Sequence, residues 1–142
     1  ALRFDRVGFD NVRRSNEIWL LAEHPGDGPF KRAVQQAVLH FPLRNTQGAP
    51  QTITFPAIAD QAAGVKSIRL NATSSAGVPV RYYVREGPAE VAEDGTLTLS
   101  TLPPRARYPV KVTVVAWQWG RPLEPRLQSA EPVLRAFSVT ND

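Results

Sequence analysis

The chain has 142 residues, of which 42% are hydrophobic and 21% charged, with a formal net charge of +4 at pH 7. This balance excludes a disordered chain, and the length predicts one folded domain with an additional segment. The sequence contains no cysteine, which excludes disulfides, thiolate metal sites and cysteine nucleophiles. No apolar run approaches the ~20 residues of a transmembrane helix, so we predict no membrane span.

The basic residues are spread along the chain instead of being concentrated in one segment. They are almost all arginine, and both halves carry about the same excess of positive charge. Nucleic-acid binding normally requires a dense basic stripe or a motif with interleaved aromatic residues. Neither occurs here, so we predict no nucleic-acid partner.

Residues 1–48 are predicted to form an N-terminal extension of the main domain, or the end of a preceding domain. Two strands are indicated, at 2–9 and 16–23. For the next element, apolar residues at helical spacing favour a helix over 30–38, ended by Pro42. The overlapping sequence AVLHFPL, residues 37–43, also fits a strand. In either case, about 45 residues with so few elements cannot form an independent core.

Residues 49–142 alternate between apolar and polar side chains in one short run after another. Period-two alternation is typical of strands with one buried face, and turn sequences such as SSAG, EDG and LPPRA separate the runs. The pattern predicts an all-β fold, an immunoglobulin-like β-sandwich of about seven strands. The predicted strands are Gln51–Phe55, Ser67–Thr73, Val78–Arg85, Glu90–Ala92, Thr96–Ser100, one over 110–119, and Pro132–Val139.

The order of these runs resembles a known family. QTITFPAIADQ, IRLNATSSAGVPVRYYV, GPAEV, GTLTL, PVKVTVVAWQWG and AEPVLRAFSV follow one another over residues 51–139. They are similar to the bacterial Ig-like repeats of exported multidomain proteins. The resemblance implies a sandwich that acts as a spacer or accessory module beside other domains. It carries no shared active site, so no catalytic residue is implied.

Two tryptophans near the end of the predicted strand over 110–119 depart from that family pattern. If Val112, Val114, Ala116 and Gln118 point into the sandwich, Trp117 and Trp119 point outward. Exposed indoles would be costly, since burial is worth ~25 cal/mol per Å² of apolar area. We therefore expect a cover: the first 45 residues of the chain, which we favour, a neighbouring domain, or a flat ligand such as a sugar ring.

The same outward face supplies the candidate ligand site. Alternation on the strand over 78–85 places Arg81, Tyr83 and Arg85 on one side, away from Val80, Tyr82 and Val84. Guanidinium groups bind carboxylates through paired hydrogen bonds, and aromatic rings stack on sugar faces. The candidate ligand-binding residues are Trp117, Trp119, Tyr83, Arg81 and Arg85, with polysaccharide as the candidate ligand.

Catalytic and metal sites are not indicated, so the chain is predicted not to be an enzyme and to need no cofactor. His24-Pro25 resembles the last block of SGNH-type ester hydrolases, but Leu21 stands where an Asp would orient the histidine. Two histidines without a third ligand do not suggest zinc. Two acidic groups suggest Ca²⁺ only weakly, namely Asp5 with Asp10 and Asn11, and Glu90 with Glu93 and Asp94.

The resulting hypothesis is a non-catalytic Ig-like accessory or structural module of an exported bacterial multidomain protein. Its partners would be neighbouring domains of the parent chain, and its location extracytoplasmic, secreted or at the cell surface. The alternative is a carbohydrate-binding module that uses the aromatic strip. The structural hypothesis predicts buried indoles, whereas the binding hypothesis predicts exposed indoles whose fluorescence shifts on titration with glycans.

Overall fold

The computed structural model describes residues 17–40 and 44–141. These residues form strands, turns and loops, which confirms the predicted all-β fold. The described chain divides between Arg44 and Asn45 into two compact units, a β-hairpin unit and a sandwich unit. The strands are β1 (Glu17–His24), β2 (Ala33–His40), β3 (Ile53–Thr54), β4 (Gln61–Ala62), β5 (Ser67–Arg69), β6 (Thr73–Ser74), β7 (Arg81–Glu86), β8 (Ala89–Val91), β9 (Thr96–Leu99), β10 (Val110–Trp117) and β11 (Val133–Thr140).

The hairpin unit corrects the helix that the sequence favoured over 30–38. β2 is a strand and pairs antiparallel with β1 along all eight residues, from Glu17 opposite His40 to His24 opposite Ala33. An apolar helical stripe is stable only against a core, and the only described element beside β2 is β1. Pairing with β1 satisfies the backbone groups of β2, and the β-branched Val34 and Val38 suit a strand.

The strand predicted at 16–23 is confirmed as β1. A tight turn joins β1 to β2: the N–H of Phe30 donates to the carboxylate of Asp27 at 3.0 Å. The strand predicted at 2–9 lies outside the described residues.

The described part of the sandwich unit has three hydrogen-bonded sheets. The four-stranded sheet has the order β4-β11-β10-β7, with β4 parallel to β11 and the other pairs antiparallel. In the three-stranded sheet, β9 lies between β5 and β8. β6 follows β5 along the chain and pairs antiparallel with β3 in a two-stranded sheet. This arrangement confirms the predicted Ig-like β-sandwich.

The main hydrophobic core fills the space between the sheets. Leu97, Val112 and Val114 are fully buried within it. The strands contribute alternate residues to it, as expected for strands with one buried face. The buried members of this core are Ile53, Phe55, Leu70, Val84, Ala89, Leu97, Val112, Val114, Ala116, Ala130, Phe137 and Val139.

Every strand predicted within 51–139 has a counterpart, although several are shorter than the alternation indicated. The run predicted over Ser67–Thr73 is divided into β5 and β6. The two-residue β4 was missed, because so short a strand leaves no periodic signal. The predicted boundary at 48/49 lies four residues beyond the division between Arg44 and Asn45.

Candidate functional site

β10 divides its side chains between two hydrophobic clusters, as the sequence predicted. Val112, Val114 and Ala116 are fully buried in the sandwich core. Val115 and Trp117 point the opposite way, across the sheet from that core. Because successive strand residues face opposite sides, the alternation of β10 alone assigns the indole of Trp117 to the outer surface of the sheet.

The outer aromatic cluster consists of Tyr83, Val115, Trp117 and Trp119. Antiparallel pairing of β7 with β10 places Tyr83 opposite Val115, and Arg81 opposite Trp117. The two indole rings meet edge to face, with centroids 4.5 Å apart and an angle of 78° between planes. Aromatic pairs prefer this geometry, which adds to the stabilisation from burial.

The outer aromatic cluster is largely shielded from solvent. Tyr83 and Trp117 are each 6% exposed and Val115 is 1% exposed, whereas Trp119 is half-buried. Tyr83, Trp117 and Trp119 each make at least one further polar, ring or electrostatic contact. A sugar ring would need an open aromatic face, and Trp117 offers almost none.

The two candidate arginines occupy different positions on β7. Arg81 is exposed beside the aromatic cluster. The pairing of β7 with β10 shifts register between Thr113 and Val114, so Arg85 lies at a β-bulge and Glu86 lies opposite Thr113. Simple alternation could not reveal this bulge. Four of the five predicted residues therefore share one face, and a ligand for them stays a prediction.

Glu86 is the last residue of β7 and lies next to the bulge at Arg85. Its carboxylate accepts a hydrogen bond from the hydroxyl of Thr113 at 3.2 Å and forms an ion pair with Lys111 at 3.2 Å. These contacts, led by the hydrogen bond from Lys111, lower the pKa of Glu86. The group is fully exposed, so the arrangement is a solvated surface pair that orders the bulge.

Asn45 fastens the start of the sandwich unit to the loop between β10 and β11. Its side-chain NH₂ donates to the carbonyl oxygens of Leu127 at 2.7 Å and Arg121 at 3.1 Å. Its backbone N–H donates to the hydroxyl of Ser129 at 2.8 Å. That hydroxyl in turn donates to the carbonyl of Trp119. We call this network the Asn45 clamp.

The clamp continues through the next residues of the chain. The N–H of Ala49 donates to the carbonyl of Arg126 at 3.1 Å, and the N–H of Gln128 donates to the carbonyl of Ala49 at 2.9 Å. The side chain of Gln51, only 7% exposed, donates to the carbonyl of Gln128 at 2.7 Å. Sequence reasoning missed the clamp, because its only local signal is an Asn followed three residues later by a Gly.

Asp94 has a structural role in the acidic turn that also contains Glu90 and Glu93. The N–H of Thr96 donates to its carboxylate at 2.9 Å, and Arg69 forms an ion pair with it at 2.9 Å. Hydrogen bonds from Thr96, first from its backbone and then from its hydroxyl, lower the pKa of Asp94. This carboxylate therefore stabilises the turn between β8 and β9.

The remaining candidate groups show no shared site. Within residues 17–40 and 44–141, no three His, Asp or Glu side chains are grouped for a metal ion. The imidazole of His24 accepts a hydrogen bond from the N–H of Gly26 at 3.1 Å. The group of Asp5, Asp10 and Asn11 lies outside the described residues. No helix in the described ranges is long and apolar enough to cross a bilayer.

Comparisons with known proteins assign neither a family nor a function to the chain. No family model matches the chain, and no curated protein matches it. Among solved structures, the crystal structure of human protocadherin-24 EC1-2, form II, aligns with all of this chain and 70% of its own, with 13% identity and a TM-score of 0.47. A similarity this low carries no functional argument, so the fold assignment rests on strand pairing and core composition.

Proposed function

We propose that the chain is a non-catalytic accessory or structural module that spaces and positions neighbouring domains of its parent protein. The observation that carries this proposal is the placement of the two ends of the sandwich unit. Asn45 lies beside the loop that follows β10, whereas Thr140 lies at the end of β11. A module of this kind holds its two neighbouring domains apart, one at each end of the sandwich.

The strand register fixes the distance between these ends. Val133 pairs with Ala116 near the clamp, and Val139 pairs with Val110 at the far end of the sheet. Six residue steps separate the two pairs, which at ~3.3 Å per residue correspond to about 20 Å. Between Asn45 and Thr140 the chain therefore crosses the length of the sandwich.

The Asn45 clamp supports a rigid connection in place of a flexible one. A linker transmits orientation only when its backbone is fixed by hydrogen bonds or burial. Here hydrogen bonds hold residues 45, 49 and 51 against the loop of residues 118–130. The far end is fixed too, because the N–H of Ala63 donates to the carbonyl of Thr140 at 2.8 Å.

The hairpin unit supplies a surface for such a neighbour. Large apolar side chains are exposed on one face of the ribbon, namely Trp19 at 68%, Leu21 at 61% and Val34 at 53%. A two-stranded hairpin is marginally stable in water on its own. A neighbouring domain of the same polypeptide that covers these residues would stabilise the hairpin and fix its position.

The exported bacterial setting of the proposal rests on the motif resemblance over residues 51–139. An exported multidomain protein would place the module outside the cytoplasm, secreted or at the cell surface. The lack of cysteine is compatible with that setting. Sequencing the parent gene's full reading frame tests this part: further repeats or a polysaccharide-active domain beside the chain would support it.

Carbohydrate binding remains the second proposal. It is supported by the adjacency of Arg81 to Trp117 and by the exposure of Arg81. The closure of Tyr83 and Trp117 favours the structural role, because buried rings stabilise a fold without contacting a ligand. The aromatic cluster therefore acts first as a second, smaller core on the outer face of the sheet.

The spacing role predicts a fixed distance between the two ends of the sandwich unit. Since the chain has no cysteine, T46C and N141C would introduce the only two sites for nitroxide spin labels. Double electron–electron resonance is expected to give one narrow distribution centred at about 25–35 Å, set by the sheet length. N45A removes the side-chain donor of the clamp and is expected to broaden this distribution clearly.

N71A is the matched control, because Asn71 is exposed and donates no side-chain hydrogen bond within the described residues. The labelled N71A protein should reproduce the parent distribution. A broad distribution in the labelled parent protein, or equal distributions for N45A and N71A, would contradict a rigid spacer.

A further inference from the structure

A cavity of about 260 Å³ opens at the end of the sandwich opposite the Asn45 clamp. It lies between the turn after β4, the segment after β9 and the start of β10. Leu99, Leu102, Tyr108 and Val139 form its apolar wall, and Lys66, Ser100 and Thr101 add polar groups. Nothing in the spacing role requires an opening at this position.

The apolar wall is the open end of the sandwich core. Val139 is a buried core residue, and Leu99, Leu102 and Tyr108 pack against the core while remaining partly exposed. Apolar surface left open in this way gains free energy when a nonpolar group covers it, at ~25 cal/mol per Å². The cavity therefore favours a ligand with a nonpolar body.

Four side-chain polar groups line the cavity, on Lys66, Ser100, Thr101 and Tyr108. The ammonium of Lys66 and the hydroxyls of Ser100, Thr101 and Tyr108 make no hydrogen bond or ion pair within residues 17–40 and 44–141. Lys111, by contrast, is paired with Glu86. One cation and three hydroxyl groups in the lining can all donate to a carboxylate, which accepts several hydrogen bonds at once.

We propose that this cavity binds a small organic carboxylate with a nonpolar body. The carboxylate would lie against Lys66 and the neighbouring hydroxyls, and the body would cover Leu99, Leu102 and the ring of Tyr108. The volume of the cavity is just below the ~300–1,000 Å³ that is usual for sites of drug-sized ligands, so the ligand is small. This site shares no residue with the Asn45 clamp or with the outer aromatic cluster.

A titration with 4-phenylbutyrate, followed by ¹H–¹⁵N correlation spectra of the whole chain, tests the proposal. Shift changes are expected at residues 63–66 and 99–102 and to saturate in the millimolar range or below. Butyrate lacks the ring, and 4-phenylbutyramide lacks the charge. Each is expected to bind at least about fivefold more weakly than 4-phenylbutyrate, because one lacks the nonpolar contact and the other lacks the charge interaction.

Two variants separate this site from other surfaces. K66Q is expected to weaken 4-phenylbutyrate binding at least about fivefold, whereas K31Q, which removes a lysine of the hairpin unit, leaves it unchanged. S100F fills the cavity from an exposed position and is expected to abolish binding while preserving the spectrum elsewhere. Equal affinity for K66Q and K31Q, or shift changes confined to residues 17–40, would overturn the proposal.

Discussion

Replacing Trp117 by alanine is expected to lower the free energy of unfolding by about 3–5 kcal/mol, the usual cost of truncating a buried tryptophan. Trp117 is 6% exposed, packs against Tyr83 and Val115, and meets the ring of Trp119 edge to face. Its loss would leave a cavity on the outer face of β10 and remove this ring pair. Denaturant unfolding followed by circular dichroism measures the change.

The matched control for this variant is Trp19→Ala. Trp19 is 68% exposed in the hairpin unit, so its truncation is expected to change the free energy of unfolding by less than about 1 kcal/mol. If both substitutions cost the same small amount, the outer aromatic cluster would have no stabilising role, and the case for a ligand on that face would strengthen.

Gly120→Ala is expected to cost at least about 2 kcal/mol and to disturb the loop of residues 118–130. Gly120 has a φ of +77°, a region that residues with a side chain rarely adopt. A methyl group there would overlap the carbonyl oxygen of Leu127 and lie 2.6 Å from the carbonyl carbon of Gln128. Both are backbone atoms, so no side-chain rotation relieves the clash.

Gly77→Ala is the control that separates the cost of the backbone conformation from the cost of the clash at Gly120. Gly77 also has a positive φ, +67°, but a methyl group there would meet nothing within 4 Å. Its replacement is therefore expected to cost only about 1 kcal/mol, from the backbone conformation alone. Thermal unfolding of the two variants measures the difference, and equal losses would show that the close approach of Leu127 and Gln128 to Gly120 is absent in solution.

The sandwich could be predicted from the sequence because its strands have one buried and one exposed face. That asymmetry appears as alternation, as in Ile68 and Leu70 on one side and Arg69 on the other. The same rule correctly assigned Ala116 to the core and Trp117 to the outer face. Alternation is local, so a single chain is enough to detect it.

Features that depend on distant contacts could not be predicted in this way. The apolar spacing of 30–38 favoured a helix, and only the pairing of β2 with β1 shows that the segment is a strand. The bulge at Arg85 depends on the register against Thr113. The Asn45 clamp joins residues that are separated by 76 to 84 positions in the sequence, so no local pattern indicates it.

The closed state of the outer aromatic cluster is most directly tested by acrylamide quenching of tryptophan fluorescence. Trp19→Phe leaves only Trp117 and Trp119, and a protein with both of those replaced by phenylalanine leaves only the exposed Trp19. The Trp117–Trp119 pair should emit at shorter wavelength and be quenched several-fold more weakly than Trp19. Equal, strong quenching in the two proteins would contradict a buried cluster and would make carbohydrate binding the favoured function.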